Sequence, residues 1–151
     1  MSWWTKIATL GPLGFLCASG TWATLVTAPF VWLFTHIGYC GCVVYAFVTA
    51  VVIFVSMLVL TKADSFLVIT DSPAIVIDEV AGFMVTFVGI KVTGLGILYG
   101  FLLFRFFDIT KWCGVNYFQR LPGAYGVIGD DLYAGFLSNV VLQILVFYGL
   151  C

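Results

Sequence analysis

The sequence predicts an all-α integral membrane protein: a compact bundle of about five transmembrane helices with an N-terminal re-entrant or interfacial segment. Of the 151 residues, 63% are hydrophobic and only 9% are charged, and the mean hydropathy is +1.17. A soluble protein with so little charge would expose large apolar patches and aggregate, whereas about 20 consecutive apolar residues span a bilayer. The length predicts a single domain over residues 1–151.

Five apolar segments between helix breakers predict the spans. They cover residues 21–35, 40–61, 73–90, 92–111 and 131–150. The third is predicted to begin where Ser72 caps the helix and Pro73 fits its first turn. The fifth is predicted to begin at Asp131, which the helix dipole favours there. Residues 3–18 contain two glycines and a proline, which break helices, so they form the predicted re-entrant or interfacial segment.

Charged residues are unevenly distributed about these spans. Alternation of the five helices puts twelve of the thirteen charged side chains on one face of the membrane and leaves only Lys91 on the other. Because Lys and Arg favour cytoplasmic loops, that face is predicted to be the cytoplasm, with the N-terminus inside and the C-terminus outside.

Seven of the charges form three clusters, which are Asp78-Glu79, Arg105 with Asp108 and Lys111, and Asp130-Asp131. Each cluster alone has a plain explanation: an acidic helix start, two i,i+3 ion pairs, or an N-cap pair. The first cluster, however, falls more than a turn inside the predicted third helix, where a charge is costly and usually functional. Together, five carboxylates face two bases, and this excess predicts a bound cation.

The residue types point to Mg²⁺ beside a phosphate group. Mg²⁺ binds carboxylate oxygens, keeps several waters and usually accompanies a phosphate. Arg105 and Lys111 supply phosphate donors, one as a bidentate fork and one as a point charge. Such a set at a membrane face predicts phosphoryl chemistry on a lipid. Gly123, Gly126 and Gly129 predict a loop that approaches a ligand closely, or else simple turns.

Other chemistries lack the residues that they require. A Cys-x5-Arg loop from Cys113 would need arginine where Gln119 stands, a histidine nucleophile needs more than His36, and no Asp-x-Asp motif occurs. The cysteines lack paired zinc-site spacing. With no basic stripe, no nucleic-acid partner is expected, and no obligate protein partner is expected either.

Four elements, in order, resemble those of the phosphatidylglycerophosphatase A family. Residues 77–82 match its D-E-x-x-G element, residues 104–111 match F-R-x-x-D-x-x-K, and residues 126–135 match G-x-x-x-D-D-x-x-A-G. Residues 19–24 resemble its P-G-T-x-G-[ST] element. The resemblance runs from about residue 8 to the C-terminus, so it covers nearly the whole chain.

Two departures from the family pattern concern loop geometry. Trp112 stands where the family usually has proline after the lysine, and Ser19 and Ala23 replace the proline and second glycine of the first element. Neither departure removes a charged group, so the predicted chemistry is unaffected.

The resemblance implies a Mg²⁺-dependent enzyme that hydrolyses phosphatidylglycerophosphate to phosphatidylglycerol and inorganic phosphate at the cytoplasmic face of a bacterial inner membrane. The predicted metal ligands are four acids: Asp78, Glu79, Asp130 and Asp131. The predicted phosphate-binding residues are Arg105, Lys111 and, by the resemblance alone, Thr21. Asp108 completes the catalytic set, and four roles stay open for it: positioning the bases, binding metal, general base or nucleophile.

Two alternatives remain. A CDP-alcohol-type lipid phosphotransferase also gathers carboxylates at the cytoplasmic face, but its D-x-x-D-G-x-x-A-R run is absent from this sequence. A small carboxylate-lined cation transporter would favour acids near the bilayer midplane rather than at one face.

Overall fold

The computed structural model describes residues 3–36, 41–63, 72 and 74–150. All regular structure in these residues is helical, which confirms the predicted all-α class. The α-helices are α1 (Trp3–Ala8), α2 (Ser19–Thr35), α3 (Gly41–Lys62), α4 (Ile77–Val85), α5 (Gly94–Thr110), α6 (Val115–Phe118) and α7 (Ala124–Phe147). A 3₁₀ turn, Leu13–Phe15, lies between α1 and α2. Residue 40 and Pro73, the predicted starts of two spans, lie outside the described residues.

Two of the described helices, α3 and α7, are long and apolar enough to cross a membrane. Helices α2 and α5 have 17 residues each, at the lower end of the range of about 17–25 residues for a transmembrane helix. Helix α4 has nine. Membrane crossing by α2, α4 and α5, and the interfacial placement of the N-terminal segment, stay predictions.

The third predicted span is shorter than expected at its start. Helix α4 begins at Ile77, and Ser72 does not cap it; the Ser72 hydroxyl instead accepts a hydrogen bond from the Ala74 amide at 3.4 Å. The reason is a backbone contact: the Val76 amide donates to the Ala8 carbonyl at 3.0 Å, which holds this stretch against the end of α1. Residues 74–76 are therefore not helical.

The later start of α4 places the first acidic pair nearer the helix end than predicted. Asp78 and Glu79 lie in the first turn of α4, so the prediction that they lie more than a turn inside the helix is wrong. At the other end, the Asn139 amide of α7 donates to the carbonyls of Thr86 and Val88, both at 2.9 Å. These bonds satisfy carbonyl groups that the end of α4 leaves free.

The fifth predicted span begins earlier than expected. Helix α7 begins at Ala124 rather than at Asp131, so the second acidic pair lies in its second turn. Gly126 and Gly129 are therefore helical, and the prediction that they belong to a loop is wrong. The first turn packs tightly, because a Cβ on Gly126 would overlap the Leu121 carbonyl. That packing against the preceding segment offsets the low helix propensity of glycine.

Helices α4 and α7 pack backbone to backbone. A Cβ on Gly82 would overlap the Asp131 carbonyl, and a Cβ on Gly135 would overlap the Gly82 carbonyl. One turn further along, Asn139 contacts the Thr86 carbonyl. From one contact to the next the residue number rises by four on both helices, so the two helices are parallel.

Aromatic side chains fill the core around this pair. Phe83 of α4 packs edge-to-face on Phe87 and on Phe104 of α5, with ring centroids 5.1 and 5.8 Å apart. The buried Tyr45 hydroxyl of α3 donates to the Met84 carbonyl at 2.7 Å. These contacts join α3 and α5 to α4.

The outer surface of the bundle is also apolar. On α3, Val43 is 73% exposed, Phe47 is 70% exposed and Phe54 is 64% exposed. A surface of large exposed hydrophobic side chains suits contact with lipid better than contact with water.

Candidate active site

The three charged clusters converge on one cavity of about 160 Å³ at the start of α4. Its lining residues are Ser72, Ile75, Asp78, Glu79, Asp108, Lys111, Val127, Asp130 and Asp131. All five predicted catalytic carboxylates therefore share one space, together with one of the two predicted phosphate-binding bases. The other base, Arg105, contacts two of the lining carboxylates.

The parallel helices α4 and α7 position two pairs of acids. Asp78 lies four residues before Gly82, and Asp131 lies four residues before Gly135. Residues four apart share a helix face, so the glycine contact that joins the helices also brings these two acids to the same cavity. Both are buried, at 5% and 3% exposure.

Backbone amides hold the first acid of each pair in the same way. The Glu79 amide donates to Asp78 Oδ1 at 3.0 Å, and the Asp131 amide donates to Asp130 Oδ1 at 3.0 Å. In each acidic pair, one carboxylate oxygen of the first residue is thus fixed close to the main chain. The second residues, Glu79 and Asp131, line the same cavity.

The end of α5 supplies the bases and a carboxylate between them. Arg105 Nη1 donates to Asp108 Oδ2 at 2.8 Å and to Glu79 Oε1 at 3.2 Å. Lys111 Nζ donates to the other oxygen of Asp108, Oδ1, at 2.9 Å. Asp108 therefore bridges the two bases with one oxygen each, and Arg105 links α5 to α4.

Lys111 links the same helix end to α7. Its Nζ donates to Asp130 Oδ2 at 2.5 Å and lies 4.0 Å from Asp131 Oδ1. The ammonium group therefore lies just beyond the end of α5, among carboxylates of α5 and α7.

Glu79 lies against the start of α2. A Cβ on Gly20 would overlap the Glu79 carboxylate, so this carboxylate occupies space that only a glycine leaves open. Among the described residues, buried Glu79 Oε2 and buried Arg105 Nε have no hydrogen-bond partner. An acceptor and a donor at the site are thus available to a ligand or to water.

The segment that resembled the family's first element contributes differently from the prediction. Gly20 contacts the site, whereas Thr21 is not among the residues that line the cavity. Phosphate binding by Thr21 stays a prediction. Sequence reasoning missed Gly20 and the cavity-lining role of Ser72; the only signal was the position of Gly20 within that motif-like segment.

The carboxylates fit a hydrated magnesium ion better than a closed metal cage. Within the described part of the chain, no three His, Cys, Asp or Glu side chains form a ready-made metal site. Mg²⁺, however, commonly binds through one or two carboxylates, with waters and substrate phosphate completing its shell. Five carboxylates beside two bases, with Glu79 Oε2 unpartnered, supply donors of that kind.

Two comparisons with known proteins found matches to this chain, and a third found none. The family model described as Phosphatidylglycerophosphatase A matches residues 6–146. Over 48 residues the chain is 38% identical to a Bacteroides thetaiotaomicron protein described as "Putative phosphatidylinositol-3-phosphatase", a match that covers 32% of this chain and 30% of that protein. No solved structure matches. Since the family model spans nearly the whole chain and includes every charged residue of the cavity, the chain belongs to the phosphatidylglycerophosphatase A family.

Proposed function

We propose that the protein is a Mg²⁺-dependent lipid phosphatase that hydrolyses phosphatidylglycerophosphate to phosphatidylglycerol and inorganic phosphate. It acts at the cytoplasmic face of a bacterial inner membrane. Family membership implies a phosphoric monoester hydrolase. The observation that carries the proposal is the cavity itself, where five carboxylates and a lysine meet at one end of an apolar bundle.

The bases bind the substrate phosphate. Arg105 has a buried Nε without a partner among the described residues, and Lys111 carries three donors on a flexible stem. Both lie within hydrogen-bonding distance of Asp108. Since that carboxylate engages one base with each oxygen, we assign it to positioning the two bases.

The four remaining acids hold the metal, directly or through waters: Asp78, Glu79, Asp130 and Asp131. A bound ion would supply Lewis-acid polarisation of the phosphoryl group and would lower the pKa of an attacking water. In the hydrolysis the water oxygen bonds to phosphorus and gives up a proton, the bond from phosphorus to the glycerol oxygen breaks, and the glycerol oxygen takes up that proton. The products are phosphatidylglycerol and inorganic phosphate.

Phosphate release from the purified protein tests the reaction. We expect release from phosphatidylglycerophosphate in detergent with Mg²⁺, loss of release with EDTA and recovery when Mg²⁺ is restored. Phosphatidylinositol 3-phosphate is the comparison substrate, because the Bacteroides relative is described as a putative phosphatidylinositol-3-phosphatase. Release from that lipid alone would change the assigned substrate. Ion flux in liposomes without any phosphate release would favour the transporter alternative.

Amide variants test the assignment of the acids. Glu79→Gln and Asp131→Asn each keep the shape of the side chain but remove its charge, so we expect each to lower Mg²⁺-dependent release by about 100-fold or more, a loss of some 2.7 kcal/mol. Both variants should still insert into the membrane at wild-type levels. Full activity in either one contradicts the proposed metal site.

A further inference from the structure

Three carboxylates surround the ammonium group of Lys111. Its Nζ lies 2.9 Å from Asp108, 2.5 Å from Asp130 and 4.0 Å from Asp131. These acids come from α5 and α7, so the ammonium stands where two helices bring negative charges together. The Lys111 side chain is only 25% exposed.

Two of these acids are also proposed metal ligands. Asp130 Oδ1 accepts the Asp131 amide, and Asp130 Oδ2 accepts Lys111, so both oxygens of Asp130 are engaged. A divalent cation that binds this carboxylate must therefore compete with the lysine for it.

We propose that the Lys111 ammonium and the divalent cation are alternative occupants of the oxygens of Asp130 and Asp131, and that metal binding releases the lysine to the substrate phosphate. This inference rests on the proposed function. It gives Lys111 two successive roles: it neutralises the acids of the empty site, and then it binds phosphate.

Lys111 is suited to such a movement and Arg105 is not. Lys111 follows the last residue of α5 and carries its charge on a flexible four-carbon stem. Arg105 lies inside the helix, and one nitrogen of its planar group contacts both Glu79 and Asp108. The arginine thus keeps α4 and α5 together while the lysine changes partners.

Metal affinity tests the competition. Mn²⁺ binding to purified protein in detergent micelles is measured by electron paramagnetic resonance for the wild type, Lys111→Met and Lys62→Met. Lys62 is an exposed base at the end of α3, so its variant controls for the same loss of net charge. We expect Lys111→Met to bind Mn²⁺ about tenfold more tightly than the wild type, equivalent to about 1.4 kcal/mol, and Lys62→Met to be unchanged.

The outcomes separate this inference from the proposed function. Equal Mn²⁺ affinity in the wild type and Lys111→Met overturns the inference and leaves the metal-dependent phosphatase in place. No binding to either protein overturns both. A similar gain in Lys62→Met means that only net charge matters, and this also overturns the inference.

Lysine labelling tests displacement without any substitution. The wild-type protein is treated with a water-soluble amine reagent, with and without Mg²⁺, and the labelled peptides are measured by mass spectrometry. We expect Mg²⁺ to raise the labelling of Lys111 at least threefold and to leave Lys6 and Lys62 unchanged. Unchanged or reduced labelling of Lys111 overturns the displacement, even if Lys111→Met does not fold.

Discussion

Gly20 shapes the site through the absence of a side chain. Its Cα faces the Glu79 carboxylate so closely that a methyl group would overlap it. Glu79 in turn contacts Arg105, so a displacement of Glu79 by a larger residue at position 20 would reach this proposed phosphate-binding base. Gly20, which has no side chain, thus helps to set the positions of the Glu79 and Arg105 side chains.

Gly20→Ala is therefore expected to impair catalysis more than folding. We expect phosphate release to fall at least about tenfold, corresponding to about 1.4 kcal/mol of transition-state stabilisation, while the protein still inserts into the membrane. Gly94→Ala is the matched control, because a Cβ on Gly94 would meet no atom within 4 Å. Equal activity of the two variants would contradict the role of Gly20.

At this scale the sequence singled out the charged residues that the structure brings together around the cavity, but not the uncharged residues beside them. Charges such as Asp78 and Arg105 could be identified because each is costly in an apolar chain. Gly20 and Ser72 carry no such cost, and their importance depends on which helix end packs beside them. Sequence position alone does not contain that information.

At the scale of elements, the parallel pair α4 and α7 is the frame of the site. Gly82 and Gly135 allow the two backbones to touch, and the acids lie one turn before them. Helix α5 then adds its bases across Glu79 and Asp130. Ion pairs and close packing therefore hold the same three helices at the same end.

Gly135→Ala should separate this pair. Its new methyl group would overlap the Gly82 carbonyl, and overpacking of this kind typically costs about 1–3 kcal/mol. We expect a lower melting temperature in detergent and reduced phosphate release.

Gly129→Ala is the control on the same helix. A Cβ there would make only ordinary contacts, at 3.6 Å or more, so stability should stay the same or rise by up to about 1 kcal/mol from helix propensity. If Gly129→Ala destabilises the protein as much as Gly135→Ala, the backbone contact does not explain the loss.

The starts of α4 and α7 could not be predicted from the sequence, and each has a physical reason. Before α4, the Val76 amide bonds to Ala8, a tertiary contact that overrides the local signals of Ser72 and Pro73. Before Asp131, glycines favoured a loop, but packing against Leu121 extends α7 back to Ala124. Both errors come from packing contacts, which helix propensity and capping signals do not include.

For the whole molecule, charge is concentrated where several helix ends meet. Lys62, at the end of α3, lies over the Trp4 ring of α1, and α1 contacts the residue that precedes α4. The cavity lies at the same start of α4. Composition predicted an apolar helical protein but not the lengths of its helices, and two of the helices that the structure describes are long enough to cross a membrane.

The native cysteines offer a test of the proposed orientation. Cys17, Cys42 and Cys113 are exposed and free. Under the predicted topology, Cys17 and Cys113 lie on the cytoplasmic side and Cys42 lies on the outer side. A membrane-impermeant maleimide should therefore label Cys42 in spheroplasts, and Cys17 and Cys113 in inverted vesicles, with the peptides identified by mass spectrometry. The opposite pattern would place the cavity outside the cell.

The contact between Gly82 and Gly135 has a consequence for insertions. Each α-helical residue turns the chain by about 100°, so one residue inserted between Asp131 and Gly135 would swing the acid away from the cavity while the glycine contact stayed intact. The same holds for Asp78 and Gly82. The site should therefore tolerate substitutions between the acid and the glycine better than insertions or deletions there.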